Sequence, residues 1–130
     1  MSDFSSARSI SASGMAAQAQ RLRHLSENIS NADTPGYRRK MVGFEAKMRQ
    51  ADAVSPVAVS RVRLDQTQLE KIYDPANPLS DESGHFDGSN VNLMIELADA
   101  REAQRSYEAN LKMFDQARKM SSSLMQLLRR

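Results

Sequence analysis

Apolar residues recur at helical spacing near both ends of the chain, whereas the middle shows shorter, alternating runs. In the first segment, Leu22, Leu25, Ile29 and Ala32 follow one another at three and four residues, which places them on one face of a helix. No proline interrupts residues 5–32. The pattern predicts a helix of roughly 40 Å that is too long for the rest of the chain to cover and needs a helical partner.

Small residues dominate the first half of this helix, downstream of Ile10. Gly14 lies among them, and a glycine in mid-helix costs on the order of 1 kcal/mol relative to alanine. We interpret Gly14 as a position that another backbone approaches closely. A glycine tolerated at an exposed site is the alternative.

The last forty residues carry the second helical pattern. Residues 90–128 contain no glycine or proline, which allows a single helix on the order of 55 Å long, with Asn90 or Ser89 as its N-cap. A heptad frame runs through Leu97, Ala100, Gln104, Tyr107, Leu111, Phe114, Arg118, Ser121, Met125 and Leu128. A second apolar stripe consists of Met113, Ala117, Met120, Leu124 and Leu127, so two partners are plausible.

We predict one set of helix-packing residues along the two helices. They are Ile10, Gly14, Leu22, Leu25, Ile29, Leu97, Tyr107, Asn110, Leu111, Phe114, Leu124 and Leu128. The predicted fold is mainly α, with two long terminal helices that flank a small β-hairpin and loop insert.

The middle of the chain is predicted to be a small β insert. Residues 57–64 alternate but change phase near Ser60 and Arg61, as a β-bulge would produce. Residues 68–73 form a second run, so a hairpin of these two runs is expected. Residues 74–84 read as a loop because of their prolines, glycine and acids, and residues 41–48 fit either a strand or a helical turn.

A turn ends the first helix. Thr34 precedes Pro35, and the proline ring disfavours the helical conformation of the residue before it, so the helix should end at or before Asp33. Residues 34–37 read as a type II turn, with Gly36 at the position that needs a positive φ. The chain thus divides into an N-terminal helix at 1–33, an insert at 34–89 and a C-terminal helix at 90–130.

Polar side chains surround this turn. Asn28 and Asn31 share one face of the last helical turn, where their amides can bond free carbonyls or the N–H groups of the turn. The three basic residues Arg38, Arg39 and Lys40 follow it.

Composition narrows the function. The chain has no cysteine, which excludes disulfides, thiolate catalysis and cysteine-based metal sites. His24 and His85 are isolated, and no catalytic, phosphate-binding or calcium-binding motif occurs, so we predict no enzyme activity, no cofactor and no metal. No secretory signal or membrane span is expected either.

Charge is divided by region. Net charge is +4 in residues 1–50, −4 in residues 51–90 and +2 in residues 91–130, which suits contacts between copies or relatives as well as solvated faces. The single basic cluster is too small for a nucleic-acid surface.

The motif Asn-x-x-Asn-x-x-Thr-Pro-Gly-Tyr at residues 28–37, followed by a basic residue, resembles the N-terminal signature of bacterial flagellar axial proteins. Ile29 and Ser30 stand where those proteins most often have leucine and alanine. Residues 73–78, 89–92 and 106–110 resemble the flagellar basal-body rod protein family, in particular its short proximal subunits of the C type. Ser89 stands where that group usually has proline.

The resemblance implies a structural rod subunit in the periplasm. Its two long terminal helices are expected to form an axial coiled-coil-like core, and the subunit is expected to polymerise through these helices to transmit torque. Its implied partners are copies of itself, other flagellar rod subunits and the flagellar type III export apparatus, with no nucleic acid. The assembly residues carried over are Asn28, Asn31, Thr34, Pro35, Gly36 and Tyr37, and Arg38, Arg39 and Lys40 are candidates for pairing with an acidic insert on a neighbour. A B-type rod subunit, a coiled-coil export adaptor or chaperone, and a small nucleic-acid binder are the alternatives.

Overall fold

Two long helices flank an insert of short strands in the computed structural model, which describes residues 2–46 and 56–129. The elements are α1 (Ser2–Ser30), β1 (Lys40–Met41), β2 (Phe44–Ala46), β3 (Val57–Val59), β4 (Arg63–Leu64), β5 (Lys71–Tyr73), β6 (His85–Asp87) and α2 (Leu93–Leu128). The predicted mainly α fold with a β insert is confirmed. None of the described helices is both long enough and apolar enough to span a bilayer.

The two helices run antiparallel in one register. Asn28 near the end of α1 bonds Glu96 near the start of α2, and Gly14 lies against Asn110. Between these two contacts both helices advance by the same number of residues, in opposite directions. Arg21 lies between them and reaches Asp99 and Glu102 on α2. α1 and α2 therefore pack along most of their length as a helical hairpin whose closed end carries the insert.

Small side chains fill the contact between the helices. Among the described residues, the buried apolar ones are Ala17, Leu25, Ala103 and Ala117, and only one of these is larger than alanine. A Cβ atom on Gly14 would lie 2.6 Å from Oδ1 of Asn110. Gly14 is thus a site of close approach, as predicted, but the approaching group is a side chain rather than a backbone.

The predicted heptad frame does not describe the contact between the two helices of one chain. Leu97 is 51% exposed and Leu111 is 48% exposed, and Tyr107 and Leu128 are exposed as well. The face of α2 that meets α1 instead includes Glu96, Ala103, Asn110 and Ala117. The small-residue surface of α1 explains the difference, because closely packed helices leave room only for small residues between them.

The remaining predicted packing residues are either buried or half-buried. Gly14 and Leu25 are buried. Those that are half-buried are Ile10, Leu22, Ile29, Asn110, Phe114 and Leu124.

The strands pair differently from the predicted hairpin. β1 pairs with β4 and β2 pairs with β3, both antiparallel, while β5 pairs with β6. The expected hairpin of residues 57–64 with residues 68–73 is therefore wrong. Adjacent runs need not pair when each finds a longer-range partner, and alternation alone does not identify the partner strand.

The predicted bulge is present. Two residues separate β1 from β2, whereas three residues separate β3 from β4 on the opposite side. The backbone N–H of Ser60 donates to the carbonyl of Gly43 at 2.8 Å, and the N–H of Gly43 donates to Oγ of Ser60 at 2.8 Å. For residues 41–48, left open between strand and helix, the structure places strands at both ends of residues 40–46, and residues 47–48 lie outside the described residues.

The N-cap of α2 is Asn92, not Asn90 or Ser89. Its Oδ1 accepts from the backbone N–H groups of Met94 at 3.1 Å and Ile95 at 3.5 Å. Ser89 instead donates to the carbonyl of Ala32, and Oδ1 of Asn90 accepts from the N–H of Arg39, so both side chains bond the segment that follows α1.

We predict that Gly14→Ala destabilises the helical hairpin although alanine favours helices. The substitution gains about 1 kcal/mol of helix propensity, but it displaces the half-buried Asn110 side chain, and such overpacking costs about 1–3 kcal/mol. Chemical unfolding followed by circular dichroism measures the difference. Adding Asn110→Ala should restore stability relative to Gly14→Ala alone. A single variant more stable than the wild type would contradict the close-packing interpretation.

Candidate functional site

The turn after α1 is a docked type II turn. α1 ends at Ser30, before the limit set by Pro35. Gly36 has φ +76°, and the N–H of Tyr37 donates to the carbonyl of Thr34 at 3.2 Å, as the sequence predicted. The N–H of Gly36 also donates to the carbonyls of Asp87 and Gly88, both at 3.1 Å. The turn therefore joins the end of α1 to the segment that leads into α2.

Asn31 and Thr34 close the helix end locally. Nδ2 of Asn31 donates at 2.8 Å to the carbonyl of Glu27, which also accepts from the backbone N–H of Asn31 at 3.0 Å, and the Thr34 hydroxyl donates to Oδ1 of Asn31 at 3.1 Å. This is the local role expected of an amide at a helix terminus. Thr34 and Pro35 are exposed.

Asn28 has a different and wider role. The side chain is 0% exposed, and its amide makes four hydrogen bonds. Nδ2 donates to the carbonyl of Lys40 at 3.0 Å and to Oε2 of Glu96 at 3.2 Å. Oδ1 accepts from the Tyr37 hydroxyl at 2.9 Å and from the N–H of Lys40 at 2.8 Å. Two donors and two acceptor sites are the full capacity of an amide, so every polar group of Asn28 is satisfied.

Glu96 is the partner that brings α2 into this site. It is 0% exposed, and its Oε1 accepts from Nε of Arg39 at 2.6 Å. Nη1 of Arg39 also lies 3.2 Å from Oδ2 of Asp65. A buried carboxylate is costly unless it is both paired and hydrogen-bonded, and here Arg39 supplies the charge while Asn28 supplies the second bond.

The segment before α2 completes the cluster. Oδ1 of Asn90 accepts from the N–H of Arg39 at 2.7 Å, and its Nδ2 donates to the carbonyls of Asp65 at 2.9 Å and Thr67 at 3.2 Å. The hydroxyl of the buried Ser89 donates to the carbonyl of Ala32. Asn90 thus joins two stretches of the insert, at Arg39 and at residues 65–67, to the segment that leads into α2.

We refer to Asn28, Tyr37, Arg39, Asp65, Asn90 and Glu96 as the polar cluster. Sequence reasoning found the first three and missed the role of the others. Glu96 lies in the first turn of α2, where an acidic residue is common, and Asp65 has no motif around it. Asn90 lay within a recognised motif but was assigned to the helix cap. Their partners are distant in sequence, so no local pattern could have revealed them.

The basic residues after the turn are used within the chain. Nη1 of Arg38 donates to the carbonyls of Asp65 at 3.2 Å and Thr67 at 3.1 Å, Arg39 pairs with Glu96, and Lys40 pairs with Glu27. All three side chains therefore already have partners within the chain, and their pairing with an acidic insert on a neighbour stays a prediction. The acidic insert that meets Arg39 belongs to the same chain.

The ion pairs shift several pKa values. A hydrogen bond from Lys40 lowers the pKa of Glu27, and the same bond raises the pKa of Lys40. Burial by itself would lower the pKa of Arg39, but the bonds and charges of Glu96 and Asp65 outweigh burial and raise it. Hydrogen bonds from Thr67, supported by Arg39, lower the pKa of Asp65.

The arrangement joins chain segments through hydrogen bonds and ion pairs. Every polar group of the buried Asn28 amide is occupied by another part of the chain. In residues 2–46 and 56–129, no three histidine, cysteine or carboxylate side chains cluster in a way that could hold a metal ion. His24 lies beside Glu27 on α1, and His85 packs against Tyr73 in the insert, so the two histidines are apart.

Two family models match the chain at the segments that this site joins. One, described as flagella basal body rod protein, matches residues 9–38, and the other, described as flagellar basal body rod FlgEFG protein C-terminal, matches residues 82–127. The first includes Asn28 and the turn, and the second includes Asn90 and Glu96. The helical hairpin and its polar cluster are thus those of a flagellar basal-body rod protein.

Similar proteins narrow the family. A flagellar basal-body rod protein FlgC from Agrobacterium fabrum is 43% identical over 136 residues, covering 99% of this chain and 98% of the relative. The FlgC of Aquifex aeolicus is 36% identical, covering 88% of this chain and 89% of the relative, and that of Salmonella typhimurium is 32% identical, covering 85% and 87%. The chain belongs to the FlgC family and is a structural subunit of the flagellar basal-body rod, which confirms the resemblance drawn from its motifs.

We predict that Asn28→Ala destabilises the protein by about 3 kcal/mol or more, because it leaves Glu96, Tyr37 and the backbone of Lys40 without bonds in a buried site. Chemical unfolding of the purified protein measures this. Asn31→Ala is the matched control and should cost about 1 kcal/mol, since it removes a partly solvated cap. Equal losses in the free energy of unfolding for the two variants would show that the polar cluster stabilises the protein no more than the helix cap at Asn31 does.

A second prediction concerns acid. Because the folded state lowers the pKa of Asp65, its charge stabilises the fold above the ordinary pKa of 3.8, and this contribution is lost as pH falls through the lower folded value. Asp65→Asn should therefore be less stable than the wild type near pH 7, and the gap should narrow at about pH 3. Unfolding titrations at both pH values test this, with the exposed Asp33→Asn as control. A gap that widens in acid would contradict the assignment.

Proposed function

We propose that the chain builds the basal-body rod through the outer faces of α1 and α2, which pair with other subunits as a coiled-coil-like axial core and transmit torque. The observation that carries the proposal is the exposure of large apolar side chains along α2. They include Met94, Leu97, Leu111, Met113, Leu127 and Leu128. Exposed apolar residues in such a row are typical of a surface that is buried on assembly.

Close packing within the chain supports this interpretation. Small residues and Glu96 occupy the face of α2 that meets α1, so the heptad positions Leu97, Leu111 and Leu128 point away from α1. An unsatisfied heptad face at a spacing of 3.5 residues favours a further helix as its partner. The heptad frame read from the sequence is proposed as the frame of contacts between subunits.

An apolar groove near the open end of the hairpin offers a second contact of the same kind. Phe4 and Ala7 of α1 line it together with Met113, Ala117 and Met120 of α2. Methionine adapts its shape to different neighbours, which suits a surface that must accept more than one subunit. We propose that copies of this chain and other rod subunits occupy these faces.

The polar cluster is proposed to set the geometry of assembly. It joins the end of α1, the insert and the start of α2 by directional bonds, so each copy presents the insert at the same angle to its helices. The motif residues Asn28, Asn31, Thr34, Pro35, Gly36 and Tyr37 are assembly residues in this sense. Thr34 and Pro35 are exposed and available to a neighbour.

The proposed setting is the periplasmic part of the basal body, reached through the flagellar type III export apparatus. Membership of the FlgC family supports it. In the same way we propose a purely structural role without enzyme activity, cofactor or nucleic acid. An export adaptor is the competing class, and it should remain outside the assembled rod.

We predict that Leu111→Gln with Leu128→Gln prevents incorporation into the rod and leaves the fold intact, because both side chains are exposed in the single chain. Losing two interface leucines should cost about 1.5–3 kcal/mol each if they are fully buried on assembly. Swimming in soft agar and recovery of the subunit with detergent-washed basal bodies measure incorporation, and circular dichroism measures the fold.

Glu108→Gln with Arg129→Gln is the matched control, since it changes an exposed residue of α2 and the exposed residue that follows α2 without changing net charge or apolar area. It should assemble normally. Normal swimming of the leucine variant would contradict assembly through the outer face of α2.

A further inference from the structure

The loop between β5 and β6 presents an apolar side chain inside an acidic surface. Leu79 is 64% exposed at its tip. Residues 74–84 contain Asp74, Asp81 and Glu82 and no basic residue. We call this segment the acidic tip. None of the bonds described above for the helical hairpin or the polar cluster involves the acidic tip.

The acidic tip is ordered by its own bonds. The N–H of Leu79 donates to Oδ1 of Asn77 at 2.9 Å, and the N–H of Asp74 donates to the carbonyl of Gly84 at 2.9 Å. Oδ1 of Asp81 accepts from the N–H groups of Ser83 at 2.9 Å and His85 at 3.1 Å. A rigid tip loses little conformational entropy on binding, so Leu79 is suited to insertion into a partner.

A groove of opposite character lies on the first turns of α2. Met94, Leu97 and Ala98 form its apolar floor, and Arg101 and Arg105 lie at its end, in a volume of about 410 Å³. Met94 is 81% exposed. We call this surface the basic groove.

Its charge is not neutralised within the described part of the chain. The acid of the groove, Glu102, lies 3.5 Å from Arg21, which already offsets its charge. Among the ion pairs of residues 2–46 and 56–129, none involves Arg101 or Arg105. The groove therefore offers two unpaired positive charges beside an apolar floor.

We propose that the acidic tip of one copy docks into the basic groove of a second copy, with Leu79 on the floor formed by Met94 and Leu97 and with Asp74 and Glu82 facing Arg101 and Arg105. The inference rests on the proposed rod function and names the surfaces of one of its contacts. Both surfaces belong to this chain, they carry charges of opposite sign, and each exposes apolar side chains. Leu79 is exposed, so its own groove does not receive it.

The geometry of such a contact suits a rod. The tip and the groove are different surfaces, so the contact is head-to-tail, and repeated head-to-tail contacts generate a ring or an open helix. A two-fold dimer, by contrast, would end assembly after one contact. In this proposal the insert makes a contact between subunits that is separate from the contacts of the axial helices.

Cysteine cross-linking in intact basal bodies tests the contact, because the chain has no native cysteine. Two differently tagged full-length chains are co-expressed, one with Leu79→Cys and one with Ala98→Cys, in cells without another copy. After mild oxidation we expect a disulfide-linked product that carries both tags. Leu79→Cys co-expressed with Glu108→Cys is the matched control and should give none, since residue 108 lies about 15 Å along α2 from residue 98.

Charge reversal gives an independent readout. Arg101→Glu with Arg105→Glu in the Ala98→Cys chain should lower the yield of this product by about tenfold, and Asp74→Lys with Glu82→Lys in the Leu79→Cys chain should restore it. The same four reversals in one cysteine-free chain should restore incorporation lost with the two arginine reversals. This comparison of incorporation tests the proposed contact without cysteines, so it still applies if either cysteine variant fails to enter the rod.

The outcomes separate this contact from the rod function. Both tags in washed basal bodies without the Leu79–Ala98 disulfide would overturn the contact and leave the rod function standing. A disulfide only between two Leu79→Cys chains, or a tip reversal that restores nothing, would overturn it too. Absence of the wild-type chain itself from washed basal bodies would overturn the proposed rod function.

Discussion

The hydrogen bond between Asn28 and Glu96 is the contact on which the structure depends. These are the two largest side chains without any solvent exposure in the described chain, and both are polar. A carboxylate at the start of α2 is tolerated in that position because Arg39 neutralises it and Asn28 bonds it. Since Arg39 follows the turn and also meets Asp65, one buried charge orders the helix end, the insert and the second helix together.

Directional hydrogen bonds of this kind fix the register of the two helices, which the small apolar contact between them could not do by itself. The buried apolar residues between the helices are mostly alanines, and they would allow α1 and α2 to slide along each other. A buried polar contact that is satisfied in only one arrangement selects a single register, a role that is well attested for polar residues in coiled coils. The cluster lies at the closed end of the hairpin, so any error in register there would extend along both helices.

The same small residues explain why α2 has an exposed apolar surface. Because alanines and Gly14 fill the contact within the chain, the leucines and methionines of α2 remain outside. A globular domain would place those residues in its own core. This chain instead exposes them along α2, which agrees with its membership of the FlgC family of flagellar basal-body rod proteins.

Much of this architecture was predictable from local patterns. The spacing of Leu22, Leu25 and Ile29 predicted α1, and the absence of glycine and proline predicted α2. Pro35 and Gly36 predicted the turn and its positive φ, because ring closure and the missing Cβ act on their own backbone. The phase change near Ser60 likewise predicted the bulge, although not the strand across from it.

The amino-acid sequence by itself therefore determined the helices, the turn and the family, all of which depend on neighbouring residues or on motifs. Only the tertiary structure decided which strands pair, that Asn92 caps α2, and that Glu96 enters the core. It also showed that Arg38, Arg39 and Lys40 are used within the chain. The physical reason is the same in each case: these contacts join residues far apart in sequence, and their energy depends on burial and on partners that no local pattern contains.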